Sequence, residues 1–474
     1  MATNLETMVS AAIPQVVEAP APKPERTEEQ RAARDKAHQL RVARWRAIES
    51  AGGIPAWIES ELRAKLLGGD PSKDPSAMSD REKGSYKDAK KAEAAERRSL
   101  KRQAWEAYRA THVVHLGVGV HWQDGKSNDR FDIERREDRL KSNDLTDFKT
   151  PEELAKAMGI DVPMLRWFAF HRDVDQGTHY RRWSIPKRSG GSRTIAAPKR
   201  GLKAVQRWAL RNVAEKLPVH GSAHGFLTAR SIVTNAQVHA GAEVVIKMDV
   251  KDFFPTIHWR RVRGLFRKAG LNESTATLLS MVCTEAPREI VQFRGRTLYV
   301  ATGPRALPQG APTSPAITNA LCLRLDRRVA GLARALGFAY TRYADDLTFS
   351  WRKSADRSKA PVGALCASVK KILLAEGFVL HPDKTMIMRD GDRQRVTGLI
   401  INKAEGVPAA RVPRETVRKL RAAIKNRELG RPGLEGETLA QIEGMAAFIH
   451  MCDPRKGQGF LDRIAALKAA TESA

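Results

Sequence analysis

Tyr343-Ala344-Asp345-Asp346 places two adjacent carboxylates between the apolar runs Phe338-Ala339-Tyr340 and Leu347-Thr348-Phe349-Ser350. A tight turn between two such runs predicts a hairpin whose tip aims at least one carboxylate outward, where it can hold a divalent ion. Upstream, Val244-Val245-Ile246-Lys247-Met248-Asp249 reads as a buried strand ending in a third carboxylate. Three Asp residues delivered by two strands suit two-metal phosphoryl transfer. One ion lowers the pKa of an attacking hydroxyl, and the other neutralises a leaving pyrophosphate. An Asp-Asp pair alone usually marks only a solvated turn, so the surrounding segments have to decide.

Several of them fit. After Asp249 come Val250-Lys251-Asp252-Phe253-Phe254-Pro255, two aromatics just past a strand-end carboxylate, where either ring could be ordinary core. Leu307-Pro308-Gln309-Gly310-Ala311-Pro312-Thr313-Ser314-Pro315 is a Pro/Gly loop opening a helix, whose free amides can face phosphates. Ile185 to Ile195 reads as a β-hairpin with a Gly190-Gly191 turn, and Lys187 and Arg193 flank that turn so that both can face one anion. Leu202 to Leu217 predicts an amphipathic helix with Val205, Trp208, Ala209 and Val213 on its apolar face.

Net charge is +28 over 474 residues, far beyond what solubility needs. A surface that basic attracts phosphate backbones. Four cysteines, Cys283, Cys322, Cys366 and Cys452, lie far apart with no Cys-x-x-Cys pair. A disulfide scaffold or zinc ribbon is not expected, and a reducing cytoplasm fits. No apolar run reaches the ~18 residues of a membrane span, and the N-terminus lacks a signal-peptide pattern.

Residues 1–26 are Ala/Pro/Glu-rich and read as a disordered tail. Residues 27–145 form a basic, mainly helical extension and linker: a helix from Thr27 to about Ser50, a second from about Tyr86 to Arg109, and a strand-like stretch from His112 to Trp122. The two charged helices could present a solvated face or lie along RNA. His112, His115 and His121 have no carboxylate or Cys companions and do not read as a metal site. A helical unit is expected from Thr150 to about His171.

Taken in order, residues 180–425 resemble a reverse transcriptase. The hairpin looks like the fingers, Met248 to Phe254 like motif A, Leu307 to Pro315 like motif B, and Tyr343 to Asp346 like motif C. Gly377 to Thr385 looks like motif D, and Gly398-Leu399-Ile400-Ile401-Asn402 like the primer grip. The resemblance implies an α+β right-hand polymerase whose palm is antiparallel sheet plus helices. Fingers would occupy 146–247, palm 248–402 and a helical thumb 403–474. It implies that Asp249, Asp345 and Asp346, with the Val250 carbonyl, hold two Mg2+ ions, for which Mn2+ can substitute. Lys187, Arg193 and the amides of Asp252 and Phe253 would take the triphosphate of a dNTP. Phe254 would be the steric gate against ribonucleotides, Gln309 would contact nucleotide or template, and Lys384 would protonate the leaving pyrophosphate.

Asn235-Ala236-Gln237-Val238-His239 and Val396-Thr397-Gly398 match two elements of retron reverse transcriptases. By that resemblance Asn235, His239, Val396, Thr397 and Gly398 would bind one structured non-coding RNA. The enzyme would prime from the 2′-hydroxyl of a guanosine and leave a branched RNA–DNA product, the msDNA. Only 76 residues follow Gly398, too few for thumb and nuclease together, so host RNase H would act in trans. An effector protein and a role in anti-phage defence follow by analogy. The alternatives are an intron-encoded or diversity-generating reverse transcriptase, and a non-catalytic RNA scaffold.

Overall fold

The computed structural model describes residues 27–67, 76, 78–123, 134–186, 191–353, 359–403, 409–432 and 436–472. Its first unit is helical. Helix α1 (Glu28–Ser50) starts at Thr27, whose hydroxyl and Gln30 cap each other, and α3 (Asp80–Thr111) starts the same way from Ser79 and Glu82. Between them α2 (Ile54–Ala64) begins after Gly53 with Pro55 in its first turn. Ile48, Trp57, Ile58, Leu62, Leu100 and Ala104 close a small core among the three. An ion pair between Arg34 and Asp161 (3.0 Å) ties the unit to the fingers.

The stretch from His112 to Trp122 is not a strand. Its buried residues Val113, Leu116 and Val120 are three and four apart rather than alternating, and its one ladder contact is the isolated bridge Gly117 to His171. Beyond that bridge the segment packs into the core as irregular backbone. After α4 (Arg136–Ser142), the helical unit expected from Thr150 to about His171 consists of two helices, α5 (Pro151–Ala157) and α6 (Val162–Ala169). Gly159 takes a left-handed φ of 71°, and Asp161 then caps α6 through the Met164 amide.

Strand β1 (Val174–Asp175) precedes the fingers hairpin of β2 (Tyr180–Pro186) and β3 (Ser192–Pro198), paired from Tyr180–Pro198 to Pro186–Ser192. Lys187 lies outside the described residues. Helix α7 (Arg200–Asn212) follows, shorter than the expected Leu202–Leu217 because Ala214–Lys216 tightens into a 3-10 turn. Next come α8 (Ile232–Val238), β4 (Val244–Asp249), α9 (Trp259–Lys268), α10 (Glu273–Cys283), the hairpin β5 (Arg288–Phe293) and β6 (Arg296–Ala301), α11 (Ser314–Leu321) and α12 (Leu323–Ala335). The hairpin that carries Asp345 and Asp346 is β7 (Phe338–Tyr343) and β8 (Asp346–Trp351), followed by α13 (Val362–Ala375) and β9 (Met386–Arg389). Strands β7, β8, β4 and β9 form one antiparallel sheet in that order.

Strand β4 is central, and Val244, Val245, Ile246 and Met248 are all buried. That is why its sequence is a continuous apolar run rather than an alternating one. One core runs from the fingers helices through this sheet to α13. A second joins the short hairpin β10 (Arg395–Val396) and β11 (Leu399–Ile400) to the helices α14 (Arg414–Glu428), α15 (Leu439–Cys452) and α16 (Pro454–Glu472). The fold is a mix of helix and antiparallel sheet behind a helical N-terminal region. All four cysteines are free, and no described helix is long and apolar enough to cross a membrane.

Candidate active site

The sheet register makes Asp249 and Asp346 direct cross-strand neighbours. The Asp345 carbonyl accepts the Val250 amide at 3.0 Å, which brings the third carboxylate and Val250 to the same sheet end. Crowding shows in the protonation equilibria. Burial pushes the Asp345 carboxyl up to about 6, and Asp346 and Asp249 add to the effect while Arg193 opposes it. Burial also raises Asp346, against the pull of Lys247 and Lys384. As placed, no three metal-ligating side chains among the described residues close around one point. Instead Lys384 Nζ sits 3.0 Å from Asp249 Oδ1 and Lys247 Nζ 3.7 Å from Asp346 Oδ2. Three carboxylates and a backbone carbonyl at one sheet end are nonetheless the donor set of hard divalent cations.

Beneath the turn lies a polar cradle that the motif reading missed. Ala344 holds a left-handed φ of 56°. Arg342, fully buried, donates to its carbonyl at 3.2 Å and to Asn319 Oδ1 at 3.1 Å, and binds both oxygens of buried Asp326. Tyr340 donates to Asp326 at 2.8 Å, and Asn319 donates to the Gly225 carbonyl at 2.8 Å. A Cβ on Gly225 would lie 2.8 Å from the Ala344 amide, so only glycine lets the hairpin seat there. The available signal was Arg342 itself, a charged residue on the inward repeat of an otherwise buried strand.

On the nucleotide side, Asp252 takes a φ of 46°, and neither its amide nor that of Phe253 bonds to a described residue. Phe253 is core, buried against Phe378 with centroids 5.3 Å apart, while Phe254 beside it is half-buried. The Gln309 carbonyl accepts the Ala196 amide of β3 at 2.7 Å. Gly310, at φ 118°, lets the loop approach Ala196 and Ile195. The two segments therefore form one wall, and Arg193 on β3 is close enough to act on Asp345. Lys384 reaches the site from a 3-10 turn at Pro382–Lys384, whose preceding loop is anchored by the His381 amide on the Asp249 carbonyl (2.8 Å).

The residues expected to touch RNA are placed differently. Asn235, His239 and Val396 are buried, so their side chains face no surface. Thr397 and Gly398 form the β10–β11 turn, at φ 45° and 89°. The two sequence elements share one core cluster through Ala236 and Val396, and the Thr397 hydroxyl donates at 3.0 Å to the carbonyl of Ile232, the first residue of α8 and three before Asn235. His239 lies between Ser350 Oγ and Thr341 Oγ1, each at 2.7 Å, and so ties α8 to β8 and β7. Burial drives its pKa down to about 3. Because the folded value lies below the ordinary 6.5, the unfolded chain binds the extra proton between these limits and stability falls as pH drops through that window. Below pH 6.5 the loss approaches about 1.4 kcal/mol per pH unit. Melts at stepped pH should show the gap between wild type and His239→Gln narrowing from neutral to acid; a constant gap would remove His239 from the pH response.

Residues 185–410 match the reverse transcriptase (RNA-dependent DNA polymerase) family, so the sheet and its carboxylates belong to an RNA-directed DNA polymerase. The chain is 56% identical over 483 aligned residues to the retron Mx162 reverse transcriptase of Myxococcus xanthus, covering 100% of this chain and 99% of that one. It is 43% identical over 311 residues to the retron Mx65 reverse transcriptase of the same organism, covering 66% of this chain and 70% of that one. It is 31% identical over 332 residues to the retron Ec86 reverse transcriptase of Escherichia coli, covering 70% and 93%. The chain belongs to the retron reverse transcriptases. The intron-encoded, diversity-generating and non-catalytic alternatives give way to that assignment.

Proposed function

We propose that this enzyme copies one cognate structured RNA into single-stranded DNA, starting from the 2′-hydroxyl of a guanosine, so that its product is a branched RNA–DNA molecule. The observation that carries the reading is the shared core of Ala236 and Val396, one from each retron element, with the Thr397 hydroxyl bonded to the start of the same helix α8 at Ile232. In this reading Asn235, His239 and Val396 shape that junction from within, and Thr397 and Gly398 lie nearest the RNA. A basic groove between the β10–β11 hairpin and α14, lined by Arg393, Arg411, Arg414, Arg418 and Arg421, offers a track for its phosphates.

Asp249, Asp345 and Asp346, with the Val250 carbonyl, would hold two divalent ions, Mg2+ with Mn2+ able to substitute. Bound there, they supply Lewis acidity toward the attacking hydroxyl and the departing pyrophosphate. Arg193, Lys187 and the amides of Asp252 and Phe253 bind the triphosphate of the incoming dNTP. Gln309 positions the nucleotide against the fingers wall. Lys384 gives its proton to a pyrophosphate oxygen as the bond to the α-phosphorus breaks. Host RNase H in trans, an effector protein and a role in anti-phage defence belong to this reading by family analogy alone.

Sequencing the nucleic acid that co-purifies with the full chain tests it. A DNA strand joined through a guanosine 2′-oxygen is the expected product; a linear cDNA primed from a 3′-end would overturn the branched reading. Phe254 tests the nucleotide site separately. Phe254→Ala removes a half-buried ring without touching a carboxylate, so dNTP use should survive in part. The preference for dNTPs over rNTPs should fall by about tenfold or more, the scale of a few kcal/mol of steric exclusion. Competition assays with both nucleotide types read it directly, and an unmoved ratio would leave Phe254 as packing only.

A further inference from the structure

The N-terminal helices carry a surface that the polymerase chemistry does not use. Three rings of one helix end lie in a column: Trp105 stacks on Tyr108 with centroids 5.6 Å apart and planes 16° apart, and Tyr108 stacks on His112 at 4.0 Å and 14°. Trp45 of α1 meets Tyr108 and His112 edge-on at 5.1 and 5.0 Å and fixes the inner end of the column. Trp105, the outer end, is 49% exposed. Internal packing explains the inner rings; it does not explain an indole face left in water.

Charge singles out the same face. Residues three, four and seven positions from Trp105 share its side of α3. They are Arg98, Lys101, Arg102, Tyr108, Arg109 and His112, four exposed cations and two rings of the column, with no carboxylate. None of the four cations forms an ion pair with a described residue. Further along the helix part of the charge is neutralised: Glu93 pairs with Lys90 and Arg97, and Glu96 pairs with Lys65. The cations around Trp105 span about 16 Å of helix, room for a few nucleotides.

The geometry points to a binding site on α3 for an unpaired stretch of RNA, in which a base stacks on Trp105 and the flanking phosphates meet Arg98, Lys101, Arg102 and Arg109. Only an unpaired base has a free face to stack, and stacking tolerates any base identity. The strand is RNA because this family's polymerase must hold its RNA template before any DNA exists. The inference rests on that template and not on the branched product. The N-terminal region thereby gains a task distinct from nucleotide transfer: holding a single-stranded segment of the template RNA away from the cleft.

The test uses the full chain with its cleft saturated by an unlabelled primer–template, and fluorescence anisotropy of a labelled, unstructured oligoribonucleotide. Blunt duplex RNA and a DNA strand of the same sequence serve as parallel probes. Trp105→Ala should weaken binding of the oligoribonucleotide about tenfold, and Trp105→Phe, which keeps a stacking face, should recover most of it. Duplex RNA should bind both variants as it binds wild type. Lys101→Ala with Arg102→Ala should lower the salt dependence of the same binding by about two counterions. Extension of a short preannealed primer–template should not change in any of these variants, which also shows that they fold. Unchanged oligoribonucleotide affinity in Trp105→Ala, equal losses for duplex and single strand, or a loss confined to the DNA strand would each overturn the site. None of these outcomes bears on whether the product is branched.

Discussion

Asp345→Asn is expected to lower DNA synthesis about a thousandfold, with RNA binding left at wild-type strength. The substitution keeps the shape of the side chain and removes one of three carboxylates at the end of β4 and β8. Losing a metal ligand forfeits several kcal/mol of transition-state charge stabilisation, and each 1.36 kcal/mol is about tenfold in rate. Fold stability should move the other way. The folded carboxyl titrates at about 6, above its ordinary 3.8, because burial and the neighbouring Asp346 and Asp249 disfavour its charge. For an acid raised in this way, stability is full below pH 3.8 and is lost as pH rises through 6. At neutral pH in metal-free buffer the charge therefore opposes folding, and the Asn variant should melt no lower than wild type. Single-turnover extension, a binding isotherm and a melt separate these effects. An inactive variant that also melts early would show that Asp345 holds the fold rather than the reaction.

Much of the palm was legible because its local signals agree with its tertiary role. Val244, Val245, Ile246 and Met248 are apolar because β4 has a strand on either side and buries all four. Thr27 with Gln30 caps α1 as its sequence suggests. Where context decides, the pattern misleads. His112 to Trp122 is rich in valine yet pairs through one isolated bridge only, so β propensity is overridden. Helix α2 is not among the expected helices: it has only eleven residues, and its N-cap, Gly53, offers no side-chain cap to mark its start. Asn235 and His239 carry a family signature, and a signature does not say whether a side chain faces a ligand or the interior. Here the interior holds both. The cradle under the catalytic turn is harder still, since Gly225, Asn319, Asp326 and Arg342 are brought together only by the fold.

That cradle yields a second large effect. Arg342→Met should destabilise the protein by about 3–5 kcal/mol, the cost of leaving a buried carboxylate without its partner, because Asp326 is as fully buried as the arginine. Replacing the pair together, Arg342→Met with Asp326→Leu, removes the orphaned charge and should return part of that stability, since apolar residues of similar volume often replace buried ion pairs without loss, while the buried Tyr340 hydroxyl loses its acceptor. Activity should not return with it. Arg342 also donates to the Ala344 carbonyl and to Asn319, the group that holds Gly225 against the turn, and methionine can make neither bond. Ala344 would then keep its left-handed backbone with less to hold it, and the spacing of Asp345 and Asp346 would loosen. The double variant should therefore melt well above Arg342→Met while extending primers far more slowly than wild type, with dNTP affinity less affected than turnover. Urea melts give the first quantity and pre-steady-state extension the second. If the double variant recovers stability and rate together, the pair serves the fold alone and the catalytic turn is held by its strands.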